Sequence, residues 1–181
     1  MKKFNKLIIA VLLCLGASAS AQQLPQFTQY MYNTISVNPA YAGSRGTFNV
    51  TALHRNQWAG IESNPQTSTL SVHAPMRNDR VGLGLSYIND NLGDEQTNYI
   101  YGDFSYSVPI TETSKLSFGL KAGFTNYSIS PRDPNDPFFN NTSFNKWSPN
   151  FGAGVYYSSN IWYLGVSSPR ILNTDLNDGE F

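Results

Sequence analysis

The chain has 181 residues with balanced formal charge, but its first 21 residues read as a leader outside the folded unit. Removing Lys2, Lys3 and Lys6 from 12 Lys+Arg leaves 9 against 12 Asp+Glu, a net of −3. That balance argues against a nucleic-acid partner, which would leave a basic footprint.

The leader has a lysine-bearing start, an apolar core over residues 7–16 and Ala19-Ser20-Ala21 as a cleavage site. Residues 1–21 are therefore expected to be a signal peptide, with Gln22 opening the mature chain. The apolar core is too short to span a bilayer, which takes roughly 20 helical residues. Cys14, the only cysteine, has Leu13 before it where a lipobox wants a small residue, and it leaves with the leader. The mature chain then has no thiol or disulfide chemistry. Charged residues make up 13% of the chain, against about a quarter in soluble domains, and aromatics reach 14%. An exported, charge-poor, Tyr/Phe-rich chain without an apolar helix points to an outer-membrane β-barrel.

Residues 22–46 carry no clean period and are expected to form a periplasmic N-terminal segment, released into the first strand by Ala42-Gly43-Ser44-Arg45-Gly46. From residue 47 onward apolar and polar residues alternate, as in strands with two unlike faces. Residues 47–53 place Phe48, Val50 and Ala52 on one face, and residues 67–74 do the same with Leu70, Val72 and Ala74. Residues 81–87 alternate bulky apolar side chains with Gly or Ser. Residues 96–108 set Ile100, Phe104, Tyr106 and Val108 against Thr97, Tyr99, Tyr101, Asp103 and Ser105. Residues 115–130 set Leu116, Phe118, Leu120 and Phe124 outward, with Ser117, Gly119, Lys121 and Thr125 inward. Two further runs carry Phe151, Val155 and Tyr157, then Trp162, Leu164 and Val166, before a polar tail over residues 168–181.

The connections run longer at 57–66, short at 75–79, intermediate at 91–95, short at 109–114, long at 131–146 and short at 158–160. Outer-membrane barrels alternate short periplasmic turns with longer external loops in this way. Residues 131–146 are thus expected outside the cell and the opening segment in the periplasm. About seven strands are counted, whereas single-chain bacterial barrels have an even number and at least 8. The expectation is an all-β, antiparallel transmembrane β-barrel of the outer membrane, incomplete in this chain over residues 47–181, as the front part of a longer protein.

Catalytic chemistry finds little material. A zinc site from His54, His73 and Glu62 matches no metal spacing, and a lumen or interface hydrogen bond explains the histidines better. Gly82-Leu83-Gly84 lacks the third glycine and following helix of a dinucleotide site, and lumen packing accounts for it. Asp133-Pro134-Asn135-Asp136 lacks the Gly and Glu of a calcium loop and reads as a turn. Neither enzyme, metal nor cofactor is expected. Tyr87, Tyr106, Tyr157 and Trp162 fall near run ends, where rings favour the membrane interface. Tyr99, Tyr101, Asp103 and Lys121 are expected to face the lumen. Arg55, Gln57 and Trp58, just past the first strand, are expected either to bind a partner or to pin the N-terminal segment.

Gln26-Phe27-Thr28-Gln29-Tyr30-Met31-Tyr32-Asn33, then Asn38-Pro39-Ala40-Tyr41-Ala42-Gly43-Ser44-Arg45-Gly46, resembles the N-terminal signature of the PorP/SprF family. Leu53-His54-Arg55-Asn56-Gln57-Trp58, His73-Ala74-Pro75 and Val81-Gly82-Leu83-Gly84 extend the resemblance over most of the mature chain. The pattern departs at Thr34-Ile35, where a Leu or Pro-Leu is expected, and at Ala59. The resemblance implies a non-enzymatic outer-membrane barrel of type IX secretion and gliding motility. Its implied partners are outer-membrane lipid, periplasmic components of the PorK/PorN type, and cargo or adhesins with a C-terminal sorting domain. Tyr30, Tyr32, Asn38, Pro39, Tyr41 and Arg45 are then the partner-binding or plug-anchoring candidates of the opening segment. Two other readings share the alternation: a passive porin-like channel, and a soluble secreted β-sandwich with its apolar faces turned inward.

Overall fold

The computed structural model describes residues 30–61, 63–130 and 143–172. The proposed leader and the polar stretch after residue 172 lie outside them. Seven strands follow one another as an antiparallel meander in a single sheet. They are β1 (Asn49–Asn56), β2 (Gln66–Pro75), β3 (Val81–Leu92), β4 (Glu95–Thr111), β5 (Ser114–Ile129), β6 (Phe144–Ser159) and β7 (Tyr163–Ser168). Before them come a 3-10 turn (Tyr30–Tyr32), a one-turn helix α1 (Thr34–Val37) and a second 3-10 turn (Pro39–Tyr41). The fold is an antiparallel sheet curled into part of a barrel, as the alternation predicts.

The two faces are the reverse of a water-soluble sandwich. Leu85 and Leu120 are 58% and 62% exposed, and Leu83, Phe104, Phe118, Phe124, Phe151 and Val166 are exposed beside them on the convex side. The concave side buries Thr69, Ser71, Ser86, Tyr101, Asp103, Ser105, Lys121 and Thr125. An apolar band this continuous needs a non-aqueous partner, because monomeric soluble proteins rarely expose more than a few hundred Å² of contiguous apolar surface. Hydrocarbon supplies one, and the soluble-sandwich reading falls. Among the described residues no helix is long and apolar enough to cross a membrane; crossing by strands is unaffected by that.

Several strands outrun their expected bounds. β1 runs on through His54, Arg55 and Asn56, so those residues belong to the strand and do not follow it. β3 continues to Leu92 and β4 starts at Glu95, which shrinks the connection expected over 91–95 to Gly93 and Asp94. β6 starts at Phe144, well before the apolar run that announced it, and contains Pro149. Proline removes a ladder donor and belongs on strand edges. β7 pairs with β6 only from Ala153 onward, so the half of β6 holding Pro149 is an edge towards β7. β4, β5 and β6 span 17, 16 and 16 residues, more than the roughly 9–11 that cross a bilayer, so their ends stand clear of hydrocarbon.

Candidate functional site

The concave face is occupied by residues 33–43, and their seating follows from strand register. One line of directly paired residues crosses six strands: Pro75, Gly82, Ser105, Gly119, Gly154 and Ser167. Every member is Gly, Ser or Pro, so the line is a shallow trough perpendicular to the strands. The opening segment lies along it in reverse order. The Val37 carbonyl accepts from Ser167 Oγ at 2.9 Å, and Asn38 Oδ1 lies against Gly154. Pro39 and Ala40 sit on Gly119, Ala42 sits on Gly82, and Gly43 meets Pro75. A Cβ on Gly119 would fall 2.0 Å from the Ala40 nitrogen, and one on Gly82 would fall 2.1 Å from the Ala42 oxygen. Backbone touches backbone there, which only glycine permits.

Side chains then stitch the segment down. Asn38 accepts from the Ala40 N–H at 3.0 Å, closing its own turn, and donates Nδ2 to the Val155 carbonyl at 3.1 Å. Ser105 Oγ donates to the Ala42 carbonyl at 2.6 Å, and the Gly43 N–H donates to His73 Nδ1 at 3.2 Å. Asn33, at the start of α1, spends its side chain on the wall. It donates to Thr69 Oγ1 at 3.3 Å and accepts from Ser71 Oγ at 2.6 Å. Ile35 is 1% exposed and packs against Gly84. Burying such a side chain contributes about 1.5–3 kcal/mol. Sequence reasoning marked Thr34-Ile35 only as a departure from the family pattern, yet Ile35 is the segment's deepest large apolar anchor.

One register line further in run His73, Gly84, Asp103, Lys121 and Gly152. Lys121 Nζ lies 3.3 Å from Asp103 Oδ1, with both side chains essentially inaccessible. The same ammonium donates to the Ile35 carbonyl at 3.0 Å and the Ser36 carbonyl at 3.1 Å. A cation on the last carbonyls of a helix satisfies groups that have no intrahelical partner. Ser86 Oγ donates to the other Asp103 oxygen at 3.4 Å, and Lys121 lies 5.5 Å from the Tyr101 ring centre. Asp103 and Tyr101 therefore flank Lys121, whose ammonium grips α1. Tyr99 lies on the same face, but the Arg170 guanidinium covers it at 5.8 Å.

Tyr41 reports the curl of the sheet. Its ring meets His73 of β2 at 5.5 Å and Tyr156 of β6 at 5.4 Å, both edge-on, so strands four places apart reach one side chain. Its hydroxyl accepts from Arg45 Nε at 2.9 Å. Tyr30 and Tyr32 are 55% and 61% exposed, while Asn38 and Pro39 are buried. Arg55, Gln57 and Trp58 stand towards the end of β1 away from Arg45. β1 has Asn49 at the end nearest Arg45 and Asn56 at the other, where Arg55 faces the Gln57 amide. Trp58, 68% exposed with φ +53°, lies in the turn beyond. His54 and His73 fall on opposite faces of the sheet, and among the described residues no group of His, Cys, Asp and Glu is arranged to hold a metal.

Sequence reasoning missed Arg170. After β7 the chain turns back onto β6: the Ile171 N–H donates to the Phe151 carbonyl at 2.8 Å, and Asn150 Oδ1 accepts from Ile171 and Leu172. This carries Arg170 over Tyr99 and Tyr127, where its Nη2 donates to the Tyr127 hydroxyl. A lone Arg in a polar tail gives no signal of such a return.

A curled sheet with an apolar convex face, filled on its concave face by an N-terminal segment, limits the protein to membrane architecture. The family model described as type IX secretion system membrane protein PorP/SprF matches residues 19–181. The chain belongs to the PorP/SprF family. PorP/SprF proteins are membrane components of type IX secretion, and catalysis is no known part of that family's role. Neither a curated protein nor a solved structure shows significant similarity to this chain.

Proposed function

We propose that this PorP/SprF chain is an outer-membrane wall element closed from within by residues 30–46, and that it docks periplasmic parts of the type IX secretion and gliding machinery. It supports export or surface anchoring of cargo with a C-terminal sorting domain, and its docking partners are of the PorK/PorN type. A cleavable signal peptide over residues 1–21 delivers it to the outer membrane. The observation that carries the reading is the trough: the segment is laid along six strands and tied to β2, β4, β5, β6 and β7. A passive porin needs its polar face open to water, whereas here the middle of that face is covered by the protein's own backbone.

Burial and exposure support a division of roles within the opening segment. Asn38 and Pro39 anchor the plug, while Tyr30, Tyr32 and Arg45 remain open to a partner. Photo-crosslinkers at Tyr30 and Arg45, in envelopes of cells expressing the intact gene, are expected to capture a periplasmic type IX component. Labelling of lipid and lipopolysaccharide alone would refute the docking reading.

A further inference from the structure

Below the trough, towards the short-turn end, the concave face continues for a few residues. Ser107 and Ser117 pair hydroxyl to hydroxyl at 2.8 Å, with Tyr156 beside them on β6. Three cations from three separate elements arrive at this mouth. Arg45 leaves the plug and is fixed through Tyr41, whose ring stands on Tyr156. Arg80 precedes β3, and its carbonyl accepts from the Ser107 N–H at 2.6 Å. Lys115 lies two residues before Ser117 on β5 and so shares its side of the sheet.

All three are exposed, and among the described residues none has a carboxylate within 4.0 Å. Lys121, by contrast, is buried and paired. Asp79 shares its turn with Arg77 and Arg80, and Glu112 stands in the turn before Lys115, yet neither carboxylate comes within 4.0 Å of Arg45, Arg80 or Lys115. In a chain with only 13% charged residues, three unpaired cations around a hydroxyl-lined mouth are a concentrated feature.

The geometry points to this mouth as a binding site for an acidic polypeptide segment presented by a periplasmic partner. The inference rests on the docking reading and supplies its chemistry. Ser107, Ser117 and Tyr156 belong to the concave side, whereas lipid would lie against the exposed convex positions Tyr106, Val108 and Phe118. Strand spacing of about 4.8 Å places Arg80 and Lys115 roughly 10–12 Å apart along a diagonal. An extended peptide covers that span in about three or four residues, at roughly 3.3–3.6 Å each. Carboxylates can then meet cations while serine and tyrosine hydroxyls bond the peptide backbone.

The test uses protein expressed from the intact gene, held in lipid nanodiscs, and a fluorescein-labelled alternating Glu-Ser peptide read by anisotropy. Comparison probes are a Lys-Ser peptide of equal length and phosphatidylglycerol vesicles. The Glu-Ser peptide is expected to bind, to weaken on adding salt, and to weaken about tenfold or more in R80E/K115E, whose exposed positions leave folding intact. Equal binding by the variant, equal binding of the Lys-Ser peptide, or full displacement by the vesicles overturns the site. Crosslinking from Tyr30 in the same variant separates the two readings. Capture of a periplasmic component that is indifferent to R80E/K115E defeats the acidic-segment site alone, whereas no capture even in the wild type defeats docking itself.

Discussion

Gly119→Ala puts the seating of the plug to the sharpest test. The new Cβ would stand 2.0 Å from the Ala40 nitrogen and 2.4 Å from its Cα, all backbone that cannot rotate away. Ordinary contact begins at 3.4 Å, so the turn at Pro39–Tyr41 must retreat by about 1.4 Å. Overpacking of this kind costs about 1–3 kcal/mol. The retreat also stretches the bond from Asn38 to the Val155 carbonyl, worth about 1 kcal/mol. Together the plug loses about 3 kcal/mol, which raises the population of its lifted state roughly 100-fold. Ser105→Cys reports that state, because Ser105 is fully buried beneath Ala42 and the expected mature chain has no other cysteine. Maleimide labelling in native-like membranes should accelerate by about two orders of magnitude when Gly119→Ala is added. Gly102→Ala is the control, since its Cβ would meet nothing closer than 3.8 Å. Unchanged labelling in Gly119→Ala, or equal acceleration in Gly102→Ala, would refute the trough as the seat of the plug.

Three further outcomes concern the buried ion pair, the plug and the convex face. Lys121→Met leaves the Asp103 charge buried without its partner and should destabilise the protein by about 3–5 kcal/mol, while Lys121→Met with Asp103→Leu should recover much of that; thermal unfolding in detergent reads both. Asn38→Ala removes one turn-closing acceptor and one bond to β6, a loss of about 1–2 kcal/mol, and protease sensitivity around residues 37–43 should rise with no change in sheet content by circular dichroism. Leu85→Arg, on the convex side, should cost about 2–4 kcal/mol in lipid if that side meets the bilayer midplane; a variant as stable as the parent in vesicles would place Leu85 elsewhere.

The strands were legible because each half-buried strand writes its two faces into alternate residues. Their ends were not. Asn89, Asp90 and Asn91 are polar on both faces, and β3 continues through them because pairing with Thr97 and Gln96 persists where neither side meets hydrocarbon. Pro149 carries no strand signal of its own, because the edge character of that half of β6 depends on where β7 stops. The trough was invisible for a related reason. Its six small residues lie on six strands, scattered between residues 75 and 167, and only the register lines them up. Asp103 and Lys121 were readable as inward-facing, but the ion pair that holds Lys121 against α1 needed the pairing of β4 with β5.

Single-channel recording in planar bilayers reaches the central claim most directly, with protein from the intact gene compared with a variant lacking residues 33–43. A lumen closed by its own N-terminal segment predicts a silent wild type and an open, ohmic variant. Steady conductance through the wild type, unchanged by the deletion, would contradict the plugged wall and restore the passive channel.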